Sequence, residues 1–318
     1  MPTALYAAGH NAWNQLQFNL NPSTKIPEPD DIPTFTCVLR VDEAIERVRA
    51  FPTYTVVYTK TGRHLAGSMS KAHYHLLTTN PSLYDSFIEC SNGTVVVPYS
   101  TGFACLTSRG QVLTWGDGRY PACLARDVSP SQPAHLPAAV PYLEELPTGK
   151  ITKLAAGYGG LLLGAVTEGG DLYCWGVGRR LGNGVGVGTN TTDAEENRVF
   201  LKGVGEVPRP AVITNTDTDT DTDTDTDTDT DTDTDAEEGK DVADVAIGSA
   251  HVLVLTTEGE VYVTGDNRWG QLGLGKEVTS TGGRWKKLDL RGVLREGEVV
   301  RGVVAAAKGS FLVVESKG

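Results

Sequence analysis

The sequence predicts an all-β protein whose short antiparallel sheets close into a ring. Three observations predict it: a glycine-bounded phrase that recurs along the chain, apolar β-rich runs upstream of each copy, and one copy divided between the two ends. The phrase reads Gly259-Glu260-Val261-Tyr262-Val263-Thr264-Gly265, Gly110-Gln111-Val112-Leu113-Thr114-Trp115-Gly116 and Gly170-Asp171-Leu172-Tyr173-Cys174-Trp175-Gly176. A fixed echo marks a repeat architecture, in which no unit buries its apolar faces alone.

Each unit supplies β-branched or aromatic runs split by Gly-containing turns, the pattern of consecutive antiparallel strands. In chain order, a faint unit runs from Ala50-Phe51 through Tyr54-Thr55-Val56-Val57-Tyr58 to Gly62 and Leu65-Ala66-Gly67. The next has Val95-Val96-Val97, Phe103-Ala104-Cys105-Leu106 and the phrase ending at Gly116. A third has Leu154-Ala155-Ala156-Gly157, Leu161-Leu162-Leu163 and the phrase ending at Gly176. The clearest joins Ala246-Ile247-Gly248 and His251-Val252-Leu253-Val254-Leu255 to the phrase ending at Gly265.

The last unit is split. Val303-Val304-Ala305-Ala306-Ala307 and Phe311-Leu312-Val313-Val314 match first and second runs, and the missing third stands at the start as Ala4-Leu5-Tyr6-Ala7-Ala8-Gly9. Pairing first with last strands removes the exposed edges of an open array, whereas a linear solenoid has no reason to divide a unit. The anchor glycines 9, 67, 116, 176 and 265 lie 58, 49, 60 and 89 residues apart, with 62 more on wrapping to residue 9. Apart from the interrupted 89-residue interval, none can hold two units, which gives about five recognisable blades in a single domain spanning residues 1–318.

The interruption is ten consecutive Thr-Asp pairs at 216–235. Such a tract cannot bury apolar surface and repels itself, so a disordered acidic insertion is expected at about 190–240. Every Thr before the last pair has Asp at +1 and +3, so the tract could also be a phosphorylation-ready loop. The formal charge of −12 belongs mostly to this tract, since the rest carries 30 acidic against 28 basic residues. That balance offers no electrostatic footprint for direct nucleic-acid binding. No apolar run approaches bilayer length and no leader with a basic flank stands at the start, so no membrane association is expected. Five widely spaced cysteines (37, 90, 105, 123 and 174) include no Cys-x-x-Cys pair and read as small apolar residues of a reducing compartment.

The phrase Gly-x-Val-Tyr-x-x-Gly-x-Asn-x-x-Gly-Gln-Leu-Gly at 259–273, preceded by Gly248-x-x-His251, resembles the repeat of the regulator of chromosome condensation family. The match is close at 242–275, good at 95–118, 151–176 and 299–318 with 1–16, and weak at 43–77, roughly half of the chain. The resemblance implies a β-propeller; the family ring more often has seven blades. Within the family the chain is most similar to the small stand-alone alpha-tubulin suppressor type, which also opens on a Tyr-Ala-x-Gly strand, here Tyr6-Ala7-Ala8-Gly9. That likeness implies a cytoplasmic or nuclear adaptor, monomeric or in a heterodimer. Its partner would be a small metal-binding diphthamide-synthesis protein, in support of tRNA wobble-uridine modification and diphthamide formation. The alternative is the founder's activity, guanine-nucleotide exchange on a small GTPase, although no wedge-like insertion is visible and the founder's basic tail is missing. A bacterial beta-lactamase inhibitor shares the disc, but nothing here points to secretion.

No enzyme signature emerges, and no cofactor is expected. His73-x-His75 lacks a third metal ligand nearby and reads as a loop histidine pair. His251 falls where the family repeat carries a packed histidine, and a structural role bonded to backbone is expected. Gly182-Asn183-Gly184-Val185-Gly186-Val187-Gly188 lacks the Lys-Ser/Thr ending of a phosphate-binding loop. Neither a Gly-x-Ser-x-Gly elbow nor a His-Glu-x-x-His helix occurs.

A propeller offers a rigid disc whose loops present a broad surface. The segments after each anchor glycine should emerge on one side, and they carry His10, Trp13 and Asn14; Asp117, Arg119 and Tyr120; Arg179 and Arg180; and Asp266, Arg268 and Trp269. Trp, Tyr and Arg are the types enriched at interface hot spots. Trp13, Asn14, Arg119, Tyr120, Arg179, Arg180, Arg268 and Trp269 are therefore the candidate partner-binding residues. Trp13 and Trp269 share a repeat position, so packing between blades accounts for them equally well.

Overall fold

The computed structural model describes residues 2–18, 29–79, 89–90, 94–177, 207–213 and 239–317. In chain order β1 (Thr3–Gly9) and β2 (Ile32–Val41) are followed by β3 (Ile45–Ala50), β4 (Tyr54–Thr59), β5 (Arg63–Gly67) and helix α1 (Lys71–Thr79). Next come β6 (Glu89–Cys90), β7 (Thr94–Tyr99), β8 (Gly102–Leu106), β9 (Val112–Gly116), the short helix α2 (Pro121–Leu124) and β10 (Ala138–Ala139). The strands β11 (Ile151–Ala156), β12 (Leu162–Thr167), β13 (Leu172–Gly176) and β14 (Arg209–Ala211) precede β15 (Val242–Ile247), β16 (His251–Thr256), β17 (Val261–Gly265) and β18 (Lys286–Lys287). The last two are β19 (Glu298–Ala305) and β20 (Gly309–Ser316).

These strands form five antiparallel sheets arranged as the blades of a propeller. Blade 1 is β19-β20-β1-β2, blade 2 is β3-β4-β5, blade 3 is β10-β9-β8-β7-β6, blade 4 is β11-β12-β13-β14 and blade 5 is β15-β16-β17-β18. Blade 1 contains the split unit: β1 pairs with β20 over seven residues, with Leu5 opposite Val313. All five anchor glycines end the third strand of their blade, counted in blade 3 from β7.

The continuous apolar runs follow from burial on both faces of each blade, which removes the polar alternation of a half-solvated strand. In β16, Val252 and Val254 face blade 4 in a cluster with Leu162, Val166 and Leu172. The alternate residues Leu253 and Leu255 pack with Tyr6, Val303 and Leu312 of blade 1. Leu5, Ala7 and Phe311 turn the other way and meet Val57 of blade 2. Blades 3 and 4 join through Leu106, Val112, Leu163 and Trp175. Blade 2 differs: Tyr54, Val56 and Tyr58 pack with Leu77 of α1, and among the described residues no apolar cluster links blade 2 to blade 3.

A polar clasp spans the closing sheet. Tyr6 on β1 donates its hydroxyl to Glu298 Oε2 on β19 at 2.7 Å, and Arg40 on β2 donates to the same carboxylate and to the Tyr6 oxygen. The Arg295 amide adds a fourth hydrogen bond, 2.9 Å from Glu298 Oε2. Burial alone would push this carboxyl up, but the donors from Arg40, the Arg295 amide and Tyr6 outweigh it and hold it down at about 2. Arg40 is exposed to solvent while the Glu298 side chain is largely covered, so Glu298→Gln should cost about 1 kcal/mol at pH 7. The carboxyl is held below its unfolded value, so its stabilisation is complete above pH 4.5 and is lost as pH falls toward 2. The variant's acid limb should lack that slope, read from urea unfolding at several pH values.

Across the ring, Asp244 on β15 accepts the Val303 amide of β19 at 3.2 Å and lies 3.6 Å from Lys153 Nζ on β11, tying blades 5, 1 and 4. Two expectations need correction. His73 and His75 lie in α1 rather than a loop, and residues two apart on a helix point to different sides. Within the span 190–240, β14 pairs with β13 and Ile213 is buried, so that span is not wholly an insertion. The Thr-Asp tract itself lies outside the described residues.

Candidate protein-binding face

In each blade the third strand ends beside the turn joining the first two strands, so both loops emerge at one end of the sheet. These ends are stitched between blades. Ser249 N–H donates to Ala307 O at 3.0 Å across blades 5 and 1, and Ser100 N–H to Gly160 O at 2.9 Å across blades 3 and 4. Within a blade, the anchor glycine lets the end of the third strand lie tight against the turn joining the first two. A Cβ on Gly9 would fall 2.5 Å from Lys308 O, and one on Gly265 would fall 2.5 Å from Ala250 O, at φ values of +122° and +118°.

The echo His10-Asn11-Ala12-Trp13-Asn14-Gln15-Leu16 and Asp266-Asn267-Arg268-Trp269-Gly270-Gln271-Leu272 builds two equivalent loops. Asn11 Oδ1 accepts the Leu16 amide at 3.0 Å and Asn267 Oδ1 the Leu272 amide at 2.7 Å. Gln15 and Gln271 accept the amides of Trp13 and Trp269, both at 2.9 Å. These buried amide side chains brace the loops and hold the tryptophans at fixed positions. Asn14 sits at φ 55°, the left-handed conformation that Asn tolerates better than most residues.

The two tryptophans differ in environment. Trp269 lies across the junction of blades 5 and 1, its ring 4.7 Å from that of His10 and 4.5 Å from Lys308 Nζ. His10 donates through Nδ1 to Asp31 at 2.9 Å. Trp13 is 53% exposed. Beside it a cavity of about 190 Å³ is lined by Trp13, Leu16, Phe51, Pro52, Ala306 and Gly309, at the junction of blades 1 and 2.

Arg268 and Arg119 repeat one geometry. Each binds the Asp two residues earlier through its own amide and guanidinium, Arg268 Nε to Asp266 at 2.9 Å and Arg119 Nη2 to Asp117 at 2.6 Å. Such exposed pairs add little stability, but they fix a planar cation against the disc. The Asp-x-Arg offset common to the two loops in sequence carries this geometry. Tyr120 and Arg119 line a second, more open cavity of about 590 Å³ with Phe103 and Trp115, whose rings stack at 5.5 Å. Arg126 shapes the loop behind it. This buried guanidinium donates to the carbonyls of Thr114, Gln132 and Leu136, the last at 2.8 Å, and burial pushes its pKa down. Arg179, Arg180 and the glycine-rich 182–188 lie outside the described residues.

His251 is structural, held by the Gly309 backbone and by a side chain of the closing sheet. Nε2–H donates to Ser310 Oγ at 2.9 Å, and that hydroxyl donates to Gln271 O at 2.6 Å, linking blades 5 and 1. The other ring nitrogen has no hydrogen-bond partner, and the ring packs flush on Gly248, where a Cβ would fall 2.0 Å from Cε1. Burial pushes its pKa down to about 4. Among the cysteines, Cys37, Cys105, Cys123 and Cys174 are free thiols, and burial pushes Cys174 up to about 12.

A family model described as the regulator of chromosome condensation repeat matches residues 242–271, the first three strands of blade 5 and the loop after them. The chain carries a regulator of chromosome condensation repeat. The human E3 ubiquitin-protein ligase HERC2 is 30% identical over 209 residues, covering 59% of this chain and 4% of the ligase, and the mouse protein matches equally. The chain thus spans a small fraction of the length of these relatives. Among solved structures, human WBSCR16 is similar at 17% identity and a TM-score of 0.43, covering 98% of this chain and 67% of that one. Prp20p of Saccharomyces cerevisiae, described with its binding to Gsp1p and histones, gives 14% identity and a TM-score of 0.46, covering 96% and 64%. No helix among the described residues is long and apolar enough to cross a membrane.

Proposed function

We propose that this propeller is a non-catalytic adaptor that binds another protein through the face carrying the anchor-glycine loops. The observation that carries the reading is the braced pair of loops at the junctions of blades 5, 1 and 2. They hold an exposed Trp13 beside an apolar cavity, and Trp269 between His10 and Lys308. Rigid aromatic side chains and a pre-oriented Arg268 cost little entropy to immobilise on binding, which favours their use as anchors. The partner proposed from the repeat resemblance is the small metal-binding diphthamide-synthesis protein, in service of tRNA wobble-uridine modification and diphthamide formation in the cytoplasm or nucleus.

Co-precipitation of the full chain with that protein at micromolar concentration tests the partner. Trp13→Ala and Arg268→Ala should each weaken binding roughly 30-fold with the melting curve unchanged. Absence of binding by the unmodified chain would remove this partner. Measured nucleotide release from a panel of small GTPases tests the exchange reading, and acceleration of any of them would establish that activity instead.

A further inference from the structure

We propose that the cavity at the junction of blades 1 and 2 receives a neutral histidine side chain of a bound protein, in the place where blade 5 inserts a histidine of its own. The proposal rests on the reading that this face binds a protein, and it names the group that enters. The repeat register defines the place. In each blade one residue stands opposite the anchor glycine across the ladder: Tyr54 in blade 2, Gly102 in blade 3, Leu162 in blade 4, His251 in blade 5 and Gly309 in blade 1.

Four blades fill this position from within. His251 enters the junction of blades 5 and 1, its ring flush on Gly248 three residues earlier. Leu162 packs with Val252 of blade 5. Tyr54 is buried and stacks on Phe51 at 4.4 Å. Gly102 has no side chain, but Tyr99, three residues earlier, reaches over it, its hydroxyl 2.6 Å from where a Cβ would stand. Blade 1 has none of these. A Cβ on Gly309 would make only ordinary contacts, 3.5 Å from Ala8 O and 3.6 Å from Leu16 Cδ2, and Ala306, three residues earlier, carries only a methyl group. Both residues line the cavity of about 190 Å³.

The receiving side of the seam matches as well. At the junction of blades 5 and 1, the residue after Gly309 is Ser310, which accepts the His251 Nε2–H at 2.9 Å and donates to Gln271 O at 2.6 Å. Its counterpart in blade 2 is Thr55, the residue after Tyr54. Thr55 is fully buried, and its hydroxyl has no hydrogen-bond partner among the described residues. It faces blade 1, because Val57, two residues on, packs with Leu5, Ala7 and Phe311, and Thr53, two residues before, lines the cavity. An unpaired buried hydroxyl is unfavourable, and an N–H brought to it relieves the penalty. A cavity on the order of 150 Å³ holds a benzene-sized ring, so an imidazole fits. Charge selects its protonation state. Lys308 lines the cavity with its ammonium over Trp269, and His10 is bonded to Asp31, whereas Phe51, Pro52 and Thr53 on the blade 2 side are uncharged. A cation beside the cavity disfavours imidazolium, so the ring enters neutral and donates its one N–H to Thr55.

The probe is the synthetic peptide acetyl-Gly-His-Gly-amide, with 4-methylimidazole and its N-methylated form as single-ring controls. Binding to the full chain is read by NMR as shifts of the Gly309 and Thr55 amides. The peptide and 4-methylimidazole should both move these amides with millimolar affinity. The N-methylated ring, which has no N–H, should bind about tenfold more weakly. Thr55→Val should weaken the peptide about tenfold with a melting temperature equal or higher, since it removes only an unpaired hydroxyl. Gly309→His together with Ala306→Gly rebuilds the His251–Gly248 arrangement in this seam and should abolish peptide binding. Should that double variant fail to fold, Thr55→Val still discriminates. Three results would overturn the proposal: no shift at tens of millimolar probe, equal binding by the two imidazoles, or binding of 4-methylimidazole without the peptide. Failure of the co-precipitation above with the peptide shifts intact would remove that partner and support this site.

Discussion

Removal of residues 299–318 should abolish cooperative unfolding, whereas removal of the ten Thr-Asp pairs at 216–235 should move the melting temperature by no more than roughly 2 °C. The terminal segment contains most of β19 and all of β20, and so takes Val300, Val303, Phe311, Leu312 and Val314 out of the cores shared with blades 5 and 2. At roughly 2 kcal/mol for each buried apolar side chain, the loss is on the order of 10 kcal/mol, comparable with the whole stability of a typical domain. It also exposes an edge on β1. The Thr-Asp pairs carry no apolar side chain, and shortening a long loop changes closure entropy only slightly. Thermal scans by circular dichroism check both deletions, and equal melting temperatures would contradict ring closure. A circular permutant should behave in the opposite way. Ser316 N–H lies 3.2 Å from Pro2 O, so joining the two ends through a short glycine linker and opening the chain within 216–235 should preserve the fold.

His251 should make the protein lose about 3 kcal/mol of stability as pH falls from 6.5 to 4. The ring is 1% exposed and neutral in the fold, with its Nε2 proton engaged by Ser310. Protonation would place a charge and an unpartnered N–H against Gly248 in an apolar junction. Unfolded, the imidazole takes up a proton near pH 6.5; folded, burial delays this to about 4. The unfolded state therefore binds more protons in that window, and stability rises with pH through it and is level above it. His251→Gln keeps a neutral donor toward Ser310 and should flatten the window between pH 6.5 and 4. The lower limb assigned to Glu298, between 4.5 and 2, should remain. Chemical unfolding at half-unit pH steps separates the two, and an unchanged upper limb in the variant would show that His251 is not the group responsible.

Much of the fold was legible because the repeat is written in residues with strict backbone duties. Gly9 and Gly265 must be glycine where a carbonyl approaches within 2.5 Å of the Cβ position, so the blade boundaries could be counted. Asn267 and Gln271 must be amides to brace their loop, so the copy at Asn11 and Gln15 was recognisable. The candidate face was less legible. Trp13 and Trp269 occupy one repeat position, yet one is exposed and the other is clamped by His10 and Lys308. Lys308 stands at the opposite end of the chain from His10, and only the closing sheet brings them together. Arg126 carried no pattern at all, since its partners are backbone carbonyls that any sequence would supply.

Order along the chain was enough to establish a repeat, its period, its circular closure and the near neutrality of everything outside the Thr-Asp tract. Local steric and hydrogen-bonding demands recur at each copy, and a recurring demand leaves a recurring residue. What stands next to what between blades had to come from the folded molecule. The Tyr6–Arg40–Glu298 clasp and the bond from His251 to Ser310 join groups that lie far apart in sequence. Their energies depend on burial and on distances across a seam, quantities that no single copy of the repeat contains.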